Sequence, residues 1–272
     1  MRISFLPTLV LALSAPLMAA DWRLVWSDEF NGKGAPDETR WTYAEGFSFN
    51  NEAQYYTKAR PENVRIENGM LVIEARREQF ENRFFREGSK LAKDRQKTAE
   101  YTSGRLTTEG KESWNHGRVE VRAKLPAGRG TWPAIWMLGA NREEAGWPKC
   151  GEIDIMEHVG FDPGVIHANI HTQKYNHMKK TNKGDKIVVE NPSASFHVYA
   201  AEWSTDRMEF FVDGKKYFTY ANEKTGIEAW PFDKPFYLIL NVAIGGMWGG
   251  QKGIDDSIFP QRMEVDYVRV YQ

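Results

Sequence analysis

Apolar and polar residues alternate in short runs along almost the whole chain. In 117–125, GRVEVRAKL, Val119, Val121, Ala123 and Leu125 share one face, while Arg118, Glu120, Arg122 and Lys124 share the other. A period of two marks a strand with one buried and one wetted side. The segments 70–76 (MLVIEAR), 196–203 (FHVYAAEW), 207–220 (RMEFFVDGKKYFTY), 235–246 (PFYLILNVAIGG) and 263–271 (MEVDYVRVY) also read as strands. Asp213-Gly214, between two such runs, is a dipeptide favoured in two-residue hairpins. No stretch carries the period of a long amphipathic helix. Many short strands with turn punctuation predict an antiparallel sandwich or barrel. The span 77–100, the most charged and least periodic, is expected to form a long surface loop. With no linker or repeat, one domain over 21–272 is predicted.

Residues 1–20, MRISFLPTLVLALSAPLMAA, depart from this pattern. An early Arg2, an apolar run and small closing residues predict a secretory signal peptide cleaved after Ala19 or Ala20, too short to span a membrane. Secretion, extracellular or periplasmic, follows from it. Without Arg2 the chain keeps 35 basic and 37 acidic residues, a charge of −2. That balance points away from nucleic acid or an anionic membrane as partner and towards a neutral ligand. The single cysteine, Cys150, excludes an intrachain disulfide and reads as a small buried hydrophobe. A monomer is expected.

The stretch 151–158, GEIDIMEH, places Glu152, Asp154 and Glu157 among Ile153, Ile155 and Met156. Buried carboxylates are costly unless something uses or compensates them. Alternation puts Glu152 and Asp154 on one face but sends Glu157 to the other. A β-bulge, one extra residue, would return Glu157 to the shared face. Glu152 and Glu157 would then stand roughly 13 Å apart at Cα, at ~3.3 Å per step. Two side chains reaching inward leave about 5 Å between carboxyls, the separation of retaining glycosidases. Three like charges in one groove force at least one to hold its proton. Glu152 is assigned as nucleophile, Glu157 as general acid/base, and Asp154 as the group that tunes Glu152. The plain alternative is a solvated edge strand, which the intervening Ile, Ile and Met oppose.

GEIDIMEHVG resembles the signature of glycoside hydrolase family 16, and the blocks around it resemble its laminarinase branch, the endo-1,3-β-glucanases. Those blocks are WSDEF (26–30), NNEAQYYT (50–57), YTSGR (101–105), GRGTWPAIWMLG (128–139), WPFDKPFYLILNVAIGG (230–246) and VDYVRVYQ (265–272). The resemblance runs from about residue 22 to the C-terminus. It implies a β-jelly-roll sandwich (concanavalin A-like) of two curved antiparallel sheets, and a β-glucan as partner. Trp132 and Trp136, four apart on one strand, could belong to the core; the family pattern makes them sugar platforms. Trp248, in a Gly-flanked rim loop, and Trp147 are further candidates. Arg105 resembles the groove arginine, His171 a substrate-side residue that could share a face with His167, and Asn50 a hydroxyl ligand. The resemblance also implies a structural Ca²⁺ away from catalysis, held at Glu29, Gly69 and Asp266. No residue spacing resembles a zinc site. Relatives acting on mixed-linkage glucan or on a galactan, and non-catalytic glucan-binding proteins, are the alternatives; the two retained glutamates oppose the last.

Overall fold

The computed structural model describes residues 22–272, so the leader assigned to 1–20 lies outside the described residues. Two sheets face each other. The seven-stranded sheet runs Lys183–Val188, Val165–His171, Glu152–Glu157, Thr131–Gly139, Phe236–Ile244, Arg105–Thr107 and Thr42–Tyr43. The eleven-stranded sheet is centred on Gly117–Lys124, Gln261–Tyr271 and Met70–Glu81. In Gly117–Lys124 every second residue is buried, as the alternation requires. Its Val119, Val121 and Ala123 meet Ile135, Ile153, Ile170, Leu240 and Val242 of the facing sheet in one apolar core. Asp213 and Gly214 both take positive φ (50° and 75°) and join Val212 to Lys215, the two-residue hairpin their identity predicts.

Two details differ from expectation. The pair Gln54–Tyr56 with Thr98–Ser103 is parallel, inside an otherwise antiparallel architecture. The span 77–100 is only partly loop, because the Met70–Glu81 strand extends into it as far as Glu81 and another strand begins at Thr98. The inward positions there are held by polar or aromatic groups. Glu78 forms an ion pair with Arg60 (2.6 Å), and Phe80 packs on Tyr55 with ring centres 5.2 Å apart. Paired charges at inward positions hide the period from a hydropathy reading. Among the described residues the α-helices are four residues long, and no helix is long and apolar enough to cross a membrane.

Candidate active site

The predicted bulge sits in the acidic strand. Against Thr131–Gly139 the register runs Ile135 to Met156 and then Trp136 to Asp154, leaving Ile155 without a partner. Against Val165–His171 it also breaks between Asp154 and Glu157. Ile153, Ile155 and Met156 all enter the core, and Glu152, Asp154 and Glu157 all line one cleft of about 740 Å³. Two adjacent apolar residues cannot both face the core in a regular strand; the extra residue is how three acids come to share a face.

Each outer glutamate is held by an indole. Trp147 Nε1–H donates to Glu152 Oε2 (2.9 Å), and Trp132 Nε1–H donates to Glu157 Oε1 (3.1 Å). Asn169 Nδ2–H donates to Glu157 Oε2 (3.1 Å), and its own Oδ1 accepts from Asn182 Nδ2 (3.0 Å), an arrangement that fixes the amide's orientation. His171 Nε2 lies 3.3 Å from Asp154 Oδ2 and 3.6 Å from Glu152 Oε1. Asp154 is 3% exposed, and its Oδ2 has no hydrogen-bond partner among the described residues.

Burial raises all three acids. Glu152 is pushed up to about 8, first by burial and then by the charge of Asp154, against the lowering effect of His171. Burial drives Asp154 well above the ordinary carboxylate range, with Glu157's charge second. Glu157 is raised by burial, which outweighs His171, Trp132 and Asn169, all of which favour its charged form. A proton kept on Asp154 removes the main charge that opposes ionisation of Glu152. The triplet therefore favours one carboxylate flanked by proton-bearing groups.

Asn50, Arg105, Trp132, Trp136, His171 and Trp248 all line the same cleft, as does Trp147. Arg105 stacks over Trp136 (4.9 Å to the ring centre), Trp132 meets Trp248 edge-on (5.7 Å), and His167 also meets Trp248 edge-on (4.9 Å). All four tryptophans are partly exposed, as platforms for sugar rings require. Gly246, in the rim loop, serves the protein's own packing. Its φ is +73°, and a Cβ there would come within 3.1 Å of the Asn50 carbonyl and 3.2 Å of Trp132. Cys150 is buried as expected, and burial pushes its thiol up to about 11.

Sequence reasoning missed a polar floor. Trp136 Nε1–H donates to Asn241 Oδ1 (2.7 Å), Asn241 Nδ2–H to the Tyr56 hydroxyl (3.1 Å), and that hydroxyl to Glu52 Oε2 (3.3 Å). Asn241 was visible as the lone polar residue of an otherwise apolar nine-residue strand. Glu52, a fourth cleft acid raised by burial, sits before a three-residue strand and carried no comparable signal.

The residues assigned to calcium lie elsewhere, on the outer sheet. Along one edge of Gln261–Tyr271 the partner changes from Met70–Glu81, ending at Val265–Leu71, to Leu24–Asp28, starting at Val268–Asp28. Asp266 is bulged at that junction, with Gly69 and Glu29 at the two flanking chain ends. Among the described residues, the Glu29 and Gly69 carbonyls accept no backbone hydrogen bond outside the strand ladders. The two carboxylates are occupied by arginines, Glu29 by Arg269 (2.8 Å) and Asp266 by Arg122 (2.5 Å). Backbone oxygens at a strand junction fit a hard cation, and the Asp266 carboxylate joins only by leaving Arg122.

The model of the family described as glycosyl hydrolases family 16 matches residues 51–269. A β-glucanase of Rhodothermus marinus is 51% identical over 264 residues, covering 93% of this chain and 86% of that protein. The X-ray structure of the laminarinase from Rhodothermus marinus superposes with a TM-score of 0.83 at 50% identity, covering 92% of this chain and 97% of that one. A mutant of SCLam, a non-specific endo-β-1,3(4)-glucanase, has a TM-score of 0.84 at 50% identity, covering 93% and 96%, and presents 1,3-β-D-cellobiosyl-glucose at its active site.

Proposed function

The chain belongs to glycoside hydrolase family 16, and from that premise we propose that it is an exported endo-1,3-β-glucanase acting on laminarin-like chains with retention of configuration. The observation that carries this reading is the bulged strand, which turns Glu152, Asp154 and Glu157 into one tryptophan-lined cleft. The partly exposed tryptophans lining the cleft suit the CH surfaces of a neutral glucan, and Arg105, Asn50 and His171 supply polar groups for its hydroxyls.

Glu152 attacks the anomeric carbon. Its Oε2 is fixed by Trp147, and its Oε1 lies 3.6 Å from His171 Nε2. Glu157 delivers its proton to the leaving glycosidic oxygen, then takes one from the water that releases the glycosyl-enzyme. Asp154, holding its proton between them, lets Glu152 ionise. Reducing-end release from laminarin, lichenan, agarose and xyloglucan, assayed side by side, tests the assignment; laminarin should be the best substrate. SCLam's action on both linkages, at 50% identity, supports lichenan as a second substrate.

Asn169 orients Glu157 and favours its charged form. Asn169→Ala should therefore raise the acid/base pKa and move the alkaline limb of the kcat/KM profile to higher pH. A lost hydrogen bond to a charged group, worth about 1.5–3 kcal/mol, corresponds to a shift of roughly one pH unit or more. An unmoved limb would mean that Asn169 does not set that proton.

Calcium at the junction of Glu29, Gly69 and Asp266 is part of the proposal, with a structural role only. It would tie the first strand and the turn before Met70 to the last strand. An ion that binds only the folded chain stabilises by about 2.7 kcal/mol at a hundredfold excess over Kd. EDTA should then lower Tm by roughly 5–10 °C and leave activity in the cold nearly unchanged, since the cleft is on the other sheet. Asp266→Ala should melt early with or without chelator. Calorimetry showing no response to Ca²⁺ or EDTA would remove the ion.

A further inference from the structure

The geometry points to a second use of the catalytic triplet: Glu152, Asp154 and His171 form a site for a divalent transition cation, of the class of zinc, that blocks the cleft reversibly. Asp154 Oδ2 and Glu152 Oε1 lie 3.3 and 3.6 Å from His171 Nε2, and one ligand atom from each residue falls within 4.8 Å of the other two. Ligands on tetrahedral zinc, with bonds of about 2.0–2.1 Å, stand roughly 3.3–3.4 Å apart. Two edges of such a polyhedron are already close to that spacing. A separate sign is the buried Asp154 Oδ2, 3.3 Å from the imidazole nitrogen and without a hydrogen-bond partner among the described residues. The register pairs Glu152 with His171 and Asp154 with Asn169 on adjacent strands, so the three ligands sit on rigid backbone. Imidazole nitrogen beside two carboxylates suits zinc or copper(II) over calcium or magnesium, which take oxygen. Zinc would displace the proton that burial keeps on Asp154 and release it to water, with a water completing the coordination.

A cation here would draw off the Glu152 oxygen that Trp147 does not hold. Glucan and metal would then compete. The inhibition rests on the proposed role of Glu152; the binding does not. Zinc chloride is titrated calorimetrically into the intact protein with calcium present, alongside initial rates on laminarin with and without zinc. We expect one zinc per chain at this site, affinity at least tenfold weaker in His171→Ala and in Asp154→Asn, and a raised KM at unchanged kcat. Cobalt(II) added to the unsubstituted protein should give the intense visible bands of a four-coordinate ion, a readout independent of how the variants fold. No zinc binding by the unsubstituted chain, parent-like affinity in both variants, or inhibition that lowers kcat alone would overturn the site. Variant-sensitive binding in a protein that hydrolyses none of the glucans would keep the metal site and overturn the glucanase reading instead.

Discussion

Glu152→Gln is expected to lower turnover of laminarin by at least about 10⁴-fold, a barrier increase of roughly 5.5 kcal/mol, while glucan affinity stays near the parent value. The amide keeps the shape of the carboxylate and can still accept from Trp147, but it cannot form the glycosyl-enzyme. The same variant should be more stable than the parent at neutral and alkaline pH. Glu152 is raised from 4.5 to about 8 by burial and by Asp154. A carboxyl that binds its proton more tightly folded than unfolded contributes stability that is fully present below about 4.5. That contribution is lost as pH rises towards about 8. The distance between those values caps the loss at about 5 kcal/mol, and coupling to Asp154 means that only part belongs to Glu152. Glutamine does not titrate. Melting curves should therefore coincide near pH 4.5 and separate by about 3–6 °C near pH 8, with the variant higher. Parent-like turnover would remove Glu152 as nucleophile; a separation that does not grow with pH would remove the electrostatic account.

The acidic strand was legible because its apolar residues broke their own alternation. Ile155 and Met156 are neighbours that both demand the core, and only an extra residue lets both have it while Glu157 joins Glu152. The sandwich was legible for a similar reason: segments such as Gly117–Lys124 bury every second residue along their whole length. The Met70–Glu81 extension was not, because its inward face carries Glu78 against Arg60, and a paired charge looks like a solvated one in sequence. Short strands such as Gln54–Tyr56 are set by their partners rather than by local pattern, and its parallel partner begins 42 residues later, at Thr98. The cleft's polar floor falls between these cases. Asn241 was conspicuous in its strand, but its partners Trp136 and Tyr56, the latter with Glu52 beside it, come from two other segments that only the fold assembles. The candidate calcium residues were recoverable only through family resemblance, since a carbonyl ligand leaves no side-chain signature.

Glu157→Ala should separate the two halves of the reaction. On glucan the leaving group is a sugar hydroxyl that departs only when protonated, so loss of the acid should cost about 10³-fold or more in kcat/KM. An aryl β-glycoside with an acidic phenol needs little protonation, and its first step should stay within roughly tenfold of the parent. The glycosyl-enzyme on Glu152 would then accumulate, because no base remains to activate water. Azide needs no base. Added azide should speed turnover and yield a β-configured glycosyl azide, the product of two inversions at the anomeric carbon. The void left beside Trp132 and Asn169, which both donate to Glu157 in the parent, gives the anion room and hydrogen-bond donors. The alkaline limb of the pH profile should also vanish for the aryl substrate, since the proton it reports has gone with the carboxyl. A uniform loss on both substrates with no azide product would show that Glu157 does not carry the proton. The acid/base would then have to be sought among the other buried cleft carboxyls, Asp154 and Glu52, both raised by burial.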